Sequence, residues 1–470
     1  MNKKINIAIV DDGVNYNQLI FSNKPTYNLE VTENLKIKKR RKFFQLGLSH
    51  ATICAGIINK YCSGIVINSI KVLSSENRKG NIDQLIKALY WCAENNIDIV
   101  NLSLGSVYFK DFSRIKKCIN DITSRGVIIV AALNNNDKFT MPACLSHVIG
   151  VKSDKDFSNE CYHFISKPWY GIDVLASGIH KLKFKSQEYI TKSTNSYAAP
   201  LITSIIARFI QEYGCSLSFE QIRFLLYKNS NNFNNEDFLS SNYVSLDWVH
   251  PCNVAVSNWM NESNDHMDVL IHSIPNEISQ IETILNKEIK NVIHTSDSYL
   301  VSNVLLQSPS LYKKLWDFNY YSTEIGSHFI NIHDSVEIPV IQFKNLGELS
   351  SQICALFKQN GYFAVSISDT FEYLDFENDI LEIIPNTSEI NKFLSYIYKK
   401  YTCDLIICNF YKQKNYCTYD YYDVTISKSK NIEIRYRLDG KFYEKKMDSD
   451  KSIDEIYMNI VELFGCEADK

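Results

Sequence analysis

Short apolar runs alternate with longer amphipathic ones along the first half of the chain. INIAIV (5–10), INSIKVL (67–73), DIVNLSL (98–104), GVIIVAAL (126–133) and VIGV (148–151) are predominantly apolar and lead into small, polar or charged residues. They read as buried strands. Between them HATICAGIINKYC (50–62), IDQLIKALYWCAENN (82–96), FSRIKKCINDITSRG (112–126) and AAPLITSIIARFIQEYG (198–214) read as helices. The alternation predicts an α/β fold with a doubly wound parallel sheet. Strands apolar on both faces predict that helices cover the sheet on both sides.

The pattern breaks at residues 229–266, where NSNNFNNEDFLSSN and NESNDH are polar and Asn-rich. The intervening YVSLDWVHPCNVAV is expected to pack back on the first domain, which sets a first domain at 1–258 and a linker at 259–266. A second, smaller α/β domain then spans 267–470. Its expected strands are MDVLIHSI, NVIHTS, VEIPVIQF, YFAVSIS and CDLIICNF, and its expected helices include ISQIETILNKEIK, LGELSSQICALFKQNG and SEINKFLSYIYKKY. A hairpin, NIEIRYRLDGKFYEKKM, turns at Asp439-Gly440, and a last helix closes the chain.

Composition narrows the function classes. A net charge of −3 over 470 residues predicts no general attraction to nucleic acid or anionic membrane. No apolar run approaches the ~20 residues of a membrane helix. INIAIV is too short for a signal-peptide core. The thirteen cysteines are scattered among apolar neighbours with no CxxC pair, which reads as free thiols in a reducing cytosol. No metal site has ligand spacing, no motif supports structural calcium, and no cofactor is expected. The dispersed His266, His272, His294, His328 and His333 read as satisfied or surface residues. VIQFKNLGELSSQI is a strand-turn-helix without the phosphate-loop pattern.

Chemistry gathers in the first domain. IAIVDDGV puts Asp11 at the carboxyl end of the first strand, where open α/β sheets carry their sites. A carboxylate directly after apolar residues needs a partner. His50 opens a helix of small and apolar residues, a position that suits a structural histidine as well as a functional one. Two further strands end in Ser103-Leu104-Gly105 and at Asn134. TKSTNSYAAP (191–200) places Ser193 and Ser196 ahead of an apolar helix.

These segments resemble the subtilases, the subtilisin-like serine peptidases, over about residues 5–228. Asp11-Asp12-Gly13 is similar to the family's Asp segment. His50-Ala51-Thr52-Ile53-Cys54-Ala55-Gly56 is similar to its His segment, and Ser103-Leu104-Gly105 to its substrate strand. Ala131-Ala132-Leu133-Asn134 resembles its oxyanion segment, and Thr194-Asn195-Ser196-Tyr197-Ala198-Ala199-Pro200 its nucleophile segment. The resemblance implies a catalytic triad of Asp11, His50 and Ser196, with Asn134 as an oxyanion donor. It implies that Ser103, Leu104 and Gly105 bind an extended peptide and that Leu133 lines the primary pocket. Asp12 competes with Asp11 for the carboxylate role. The family pattern favours Asp11 and leaves Asp12 to face substrate or solvent.

Several residues depart from the family. Leu133 and Ala51 stand where glycines are usual, Thr194-Asn195 replaces Gly-Thr, and Tyr197 replaces a small or thioether residue. Leu133 would narrow the pocket against large side chains. With no prodomain or signal peptide ahead of Asp11, the expectation is a cytoplasmic enzyme acting on peptide or protein substrates by limited proteolysis, such as leader removal from a ribosomally made peptide. General turnover and peptide binding without catalysis are the other readings. The basic run KIKKRRKFF (36–44) reads as a solvated loop or as a contact for an acidic leader. The layout of 267–470 resembles peptide maturation system proteins at the level of pattern only.

Overall fold

The structure, a computed structural model, describes residues 4–20, 25–40, 47–74, 80–145, 147–165, 171–214, 217–233, 336–368, 390–410, 422–438 and 440–464. It also gives the backbone of the strands at 254–256, 269–272, 291–294, 315–317 and 381–383. Two compact units divide the chain, Met1–Asn242 and Tyr243–Lys470.

The first unit is built on a nine-stranded sheet. Its strands are β1 (Asn6–Asp11), β2 (Asn28–Val31), β3 (Ile37–Lys39), β4 (Val66–Lys71), β5 (Ile99–Leu102), β6 (Ile128–Ala132), β7 (Ile149–Asp154), β8 (Tyr162–Phe164) and β9 (Val174–Ser177). They lie in the order β3-β2-β4-β1-β5-β6-β7-β9-β8. The inner strands are parallel, and the edge strands β3 and β8 run antiparallel to their neighbours.

Side chains along β1 split by the alternation of a strand. Ile7 and Ile9 join a core with α1 (His50–Tyr61), α4 (Asn195–Tyr213) and α5 (Phe219–Lys228). Ala8 and Val10 are also buried and face the other layer, where α2 (Ile82–Glu94) and α3 (Phe112–Ser124) pack together. Both faces are covered, as the apolar strands require. Helix α4 is buried at every residue from Ala198 to Ala207. Burial of each of its leucine and isoleucine side chains contributes about 1.5–3 kcal/mol. Its hydroxyls bond locally, Thr203 Oγ1 to the Ala199 carbonyl and Ser204 Oγ to the Leu201 carbonyl. A hairpin of β10 (Lys181–Lys183) and β11 (Glu188–Ile190) leads into α4.

The second unit holds two sheets. One is four parallel strands, β12 (Val254–Val256), β13 (Val269–His272), β14 (Asn291–His294) and β15 (Leu315–Asp317). The other comprises β16 (Val340–Lys344), β17 (Ala364–Ser368), β18 (Leu381–Ile383), β19 (Leu405–Phe410), β20 (Val424–Lys428), β21 (Ile432–Leu438) and β22 (Lys441–Met447). Its order is β18-β17-β19-β16-β20-β21-β22, parallel as far as β20 and antiparallel beyond. Helices α6 (Gly347–Gln359) and α8 (Ile453–Leu463) share its core, and α7 (Ile390–Tyr401) precedes β19.

Two expectations change here. The boundary falls at 242/243 rather than 258. Val254–Val256, expected to return to the first domain, pairs with β13 instead. The reason is local: three apolar strand residues find a parallel partner within their own unit. The hairpin forms with Leu438 opposite Lys441 and Gly440 at φ +75°. Asp439, the 259–266 linker, the helix expected at 278–290 and His266, His328 and His333 lie outside the described residues.

Candidate active site

The turn that ends β1 sets the first two groups. The Asp11 carboxylate is buried, with Oδ2 2.7 Å from His50 Nδ1 and Oδ1 accepting from the Asp12 N–H. Asp12 does not face substrate or solvent as expected. It is only 3% exposed, and its carboxylate accepts from the N–H groups of both His50 and Ala51. The first amides of a helix have no partners within it, and an anion there is favoured by the helix dipole. Asp12 therefore supplies the acceptors that hold α1 at the sheet. Burial and the Asp11 charge push its pKa up, and the two amides oppose them. Ser49 completes the attachment, donating to the Gly13 carbonyl and accepting from the Thr52 N–H. Gly13 sits at φ +95°, a backbone state that glycine adopts without strain.

Ser196 is the second residue of α4. The Asn195 N–H donates to Asn135 Oδ1, and those of Tyr197 and Ala198 to the Thr194 carbonyl. The Ser196 N–H has no acceptor among the described residues. Pro200 adds a second consequence. A residue at that position normally donates to the carbonyl four residues earlier, which is Ser196. Proline cannot, and the Ser196 carbonyl accepts instead from Ser103 Oγ at 2.9 Å and lies 3.7 Å from Cys54 Sγ. The missing helix bond thus ties the Ser196 backbone to the strand end at Ser103 and to α1. Ser193 lies outside the helix.

Asn134 Oδ1 accepts from the Asn136 N–H, which leaves its amide NH₂ as the end able to donate elsewhere. Asn195, an unassigned departure in the sequence, is 4% exposed and joins three segments. Its Nδ2 donates to the Leu133 and Asn134 carbonyls, and its Oδ1 accepts from the Ser153 N–H. It holds the Asn134 turn against the start of α4. Nothing in the sequence pattern marks this clamp, because its partners are backbone groups.

Asp11, His50, Asn134 and Ser196 border one cleft of about 430 Å³. Ser103, Leu104 and Gly105 form one wall, and Ala132 and Leu133 the other. Ser106, which also lines the cleft, exchanges both backbone hydrogen bonds with Met141. A Cβ on Gly105 would lie 2.6 Å from the Met141 carbonyl oxygen, so only glycine allows this approach. Tyr197 lays its ring 5.2 Å from the His50 ring, centre to centre. Its carbonyl oxygen lies 3.0 Å from His180 Nε2, and burial pushes the pKa of His180 down to about 4. Burial also acts to lower the pKa of His50. The Cys54 sulfur and then the Asp11 carboxylate outweigh it, and the net shift is upward. Ligand atoms of Asp11, His50 and Cys54 lie within 4.8 Å of one another, a grouping already organised by the Asp11–His50 hydrogen bond. The described cysteines are free and, Cys161 apart, buried.

The sequence profile of the Subtilase family matches residues 2–244. M-protease of Shouchella clausii is 25% identical over 215 residues, covering 43% of this chain and 55% of the relative. The major intracellular serine protease of Bacillus subtilis is 27% identical over 168 residues, 33% and 51% of the two chains. The chain thus spans about half the length of these two relatives. Among solved structures, a cold-adapted subtilisin-like serine proteinase aligns with TM-score 0.40 and 21% identity, over 50% of this chain and 85% of its own. With the Asp, His, Asn and Ser segments bordering one cleft and the match running from residue 2 to residue 244, this chain belongs to the subtilase family.

Proposed function

We propose that the chain is a serine endopeptidase that uses Asp11, His50 and Ser196 as its triad. The observation that carries this reading is the 2.7 Å Asp11–His50 hydrogen bond at the edge of the cleft that Ser196 and Asn134 also border. With Nδ1 engaged by Asp11, His50 presents Nε2 as the base. Ser196 Oγ forms a bond to the scissile carbonyl carbon while its proton passes to Nε2. The oxyanion is met by the Ser196 N–H and the Asn134 NH₂. The C–N bond then breaks as His50 hands its proton to the leaving amine, and water releases the acyl group by the same steps in reverse. Ser103, Leu104 and Gly105 receive the peptide as an added strand.

The finer reading is limited proteolysis in the cytoplasm, such as removal of an acidic leader. Leu133 in the cleft wall supports selectivity. Exposed Lys38 and Lys39 on the edge strand β3 offer a cationic contact, while residues 41–44 lie outside the described residues. Buried free thiols suit a reducing compartment.

Labelling with a fluorophosphonate tests the chemistry. Wild type is expected to label at Ser196 and Ser196→Ala not at all; equal labelling of both sinks the mechanism. Digestion of a peptide library tests the finer reading. Narrow cleavage, weakened by salt for acidic peptides, is expected. Broad, salt-insensitive cleavage would point to turnover.

A further inference from the structure

We infer that Asp111 makes the cleft selective for a cationic side chain, lysine or arginine, on the residue whose carbonyl is cut. This rests on the peptidase reading above. Among the described residues, two carboxylates border the cleft, Asp11 and Asp111, and no lysine or arginine does. Asp11 is committed to His50. Asp111 is only 8% exposed and has, among the described residues, one side-chain partner, the Ser106 hydroxyl, which donates to Oδ2 at 2.5 Å. Ser106 is itself fixed, because its hydroxyl oxygen accepts from the Tyr108 N–H.

Asp111 directly precedes α3, yet its side chain makes no capping bond to that helix. Two lysines close in sequence are engaged elsewhere: Lys110 lies over the Tyr108 ring and Lys116 over the Phe112 ring. Among the described residues no cation pairs with Asp111. Among the described residues Oδ1 has no hydrogen-bond partner, on a residue that borders the cleft. A largely buried carboxylate without a cation is a costly arrangement, and a substrate cation would relieve it.

The position within the cleft identifies which substrate residue is read. One wall begins at Ser103, bonded to the Ser196 carbonyl, and ends at Ser106, bonded to Asp111. The other ends at Asn134, beside the reacting centre. A side chain lying between these walls belongs to the residue nearest Ser196, and we place its tip at Asp111, which Ser106 ties to the end of the Ser103–Ser106 segment. Leu133 then has a second use. A lysine or arginine stem is slim and apolar and packs along it, while a broad aromatic ring does not fit beside it.

The test compares peptides that differ only at this residue, arginine against its neutral isostere citrulline. Wild type is expected to favour arginine by about a hundredfold in kcat/KM, the scale of a desolvated charge pair. Asp111→Asn should bring the ratio to within a few-fold of unity, and Asp111→Lys should favour glutamate there. Competition by benzamidine, a small cation, is expected in wild type and needs no variant. A wild-type ratio near one, or a ratio that Asp111→Asn leaves intact, overturns the inference while fluorophosphonate labelling of Ser196 still stands. Loss of labelling itself sinks the peptidase reading and this inference with it.

Discussion

His50 can act as a base only when its ring is neutral. Burial favours that state, but the Cys54 sulfur and Asp11 favour the charged ring and prevail. The ring's pKa therefore lies above the ordinary value of about 6.5, and activity should rise with pH through a limb displaced upward. Asp11→Asn removes part of the upward pull and leaves that of burial. Its limb should move to lower pH while kcat falls by about 10⁴, since the amide also favours the wrong tautomer. A kcat/KM profile against pH checks both; an unmoved limb would mean that Asp11 does not act on the ring. Asp11, His50, Asn134 and Ser196, which border one cleft, could be picked out in the sequence because each lies in a short segment of recognisable order. Asp12, Asn195 and Asp111 were not. Asp12 and Asn195 act on backbone amides and carbonyls from distant segments. Asp111 borders the cleft through its bond to Ser106, and no short segment of recognisable order marks it.

At the scale of elements, the mostly apolar strands β1, β4, β5, β6 and β7 could be read directly, because a run buried on both faces has no competing pattern. The short β2, β3, β8 and β9 escaped, being brief and mixed with polar residues. Their place depends on tertiary contacts, and the clearest joins α5 to the β7–β9 edge. Arg223 on α5 meets Asp173 at 2.8 Å, with both side chains buried, and Asp173 Oδ2 accepts from the Gly150 N–H. The guanidinium lies beside the Phe164 and Phe219 rings. Burial pushes the pKa of Asp173 up, and Arg223 and the amide oppose it. Arg223→Met should cost about 3–5 kcal/mol at neutral pH by stranding the carboxylate. With the cation gone the folded pKa rises further. The folded state then holds the proton more tightly than the unfolded chain, so stability is greatest below the unfolded pKa and is lost as pH climbs through the folded one. Urea unfolding should therefore show the defect shrinking in acid. Adding Asp173→Asn should recover most of it; a defect unchanged by pH would assign it to lost packing.

At the scale of the molecule, the two units have separate hydrophobic cores, one around α1 and α4 and one around β16, α6 and α8. Every described residue that borders the cleft, from Asp11 to Ser196, belongs to the first unit. A domain that has its own core and its own site can in principle fold and react alone. Residues 1–242 expressed by themselves should unfold cooperatively and label with a fluorophosphonate at a rate within a few-fold of the full chain. The same fragment separates chemistry from recognition. Cleavage of short arginine peptides depends on the Asp111 end of the cleft and should survive the truncation. If cleavage of a full-length substrate is lost while short peptides are still cut, the second unit carries substrate recognition. If labelling also disappears in a folded fragment, residues beyond 242 are needed to build the reactive geometry itself, and the separation of the cores does not extend to the site.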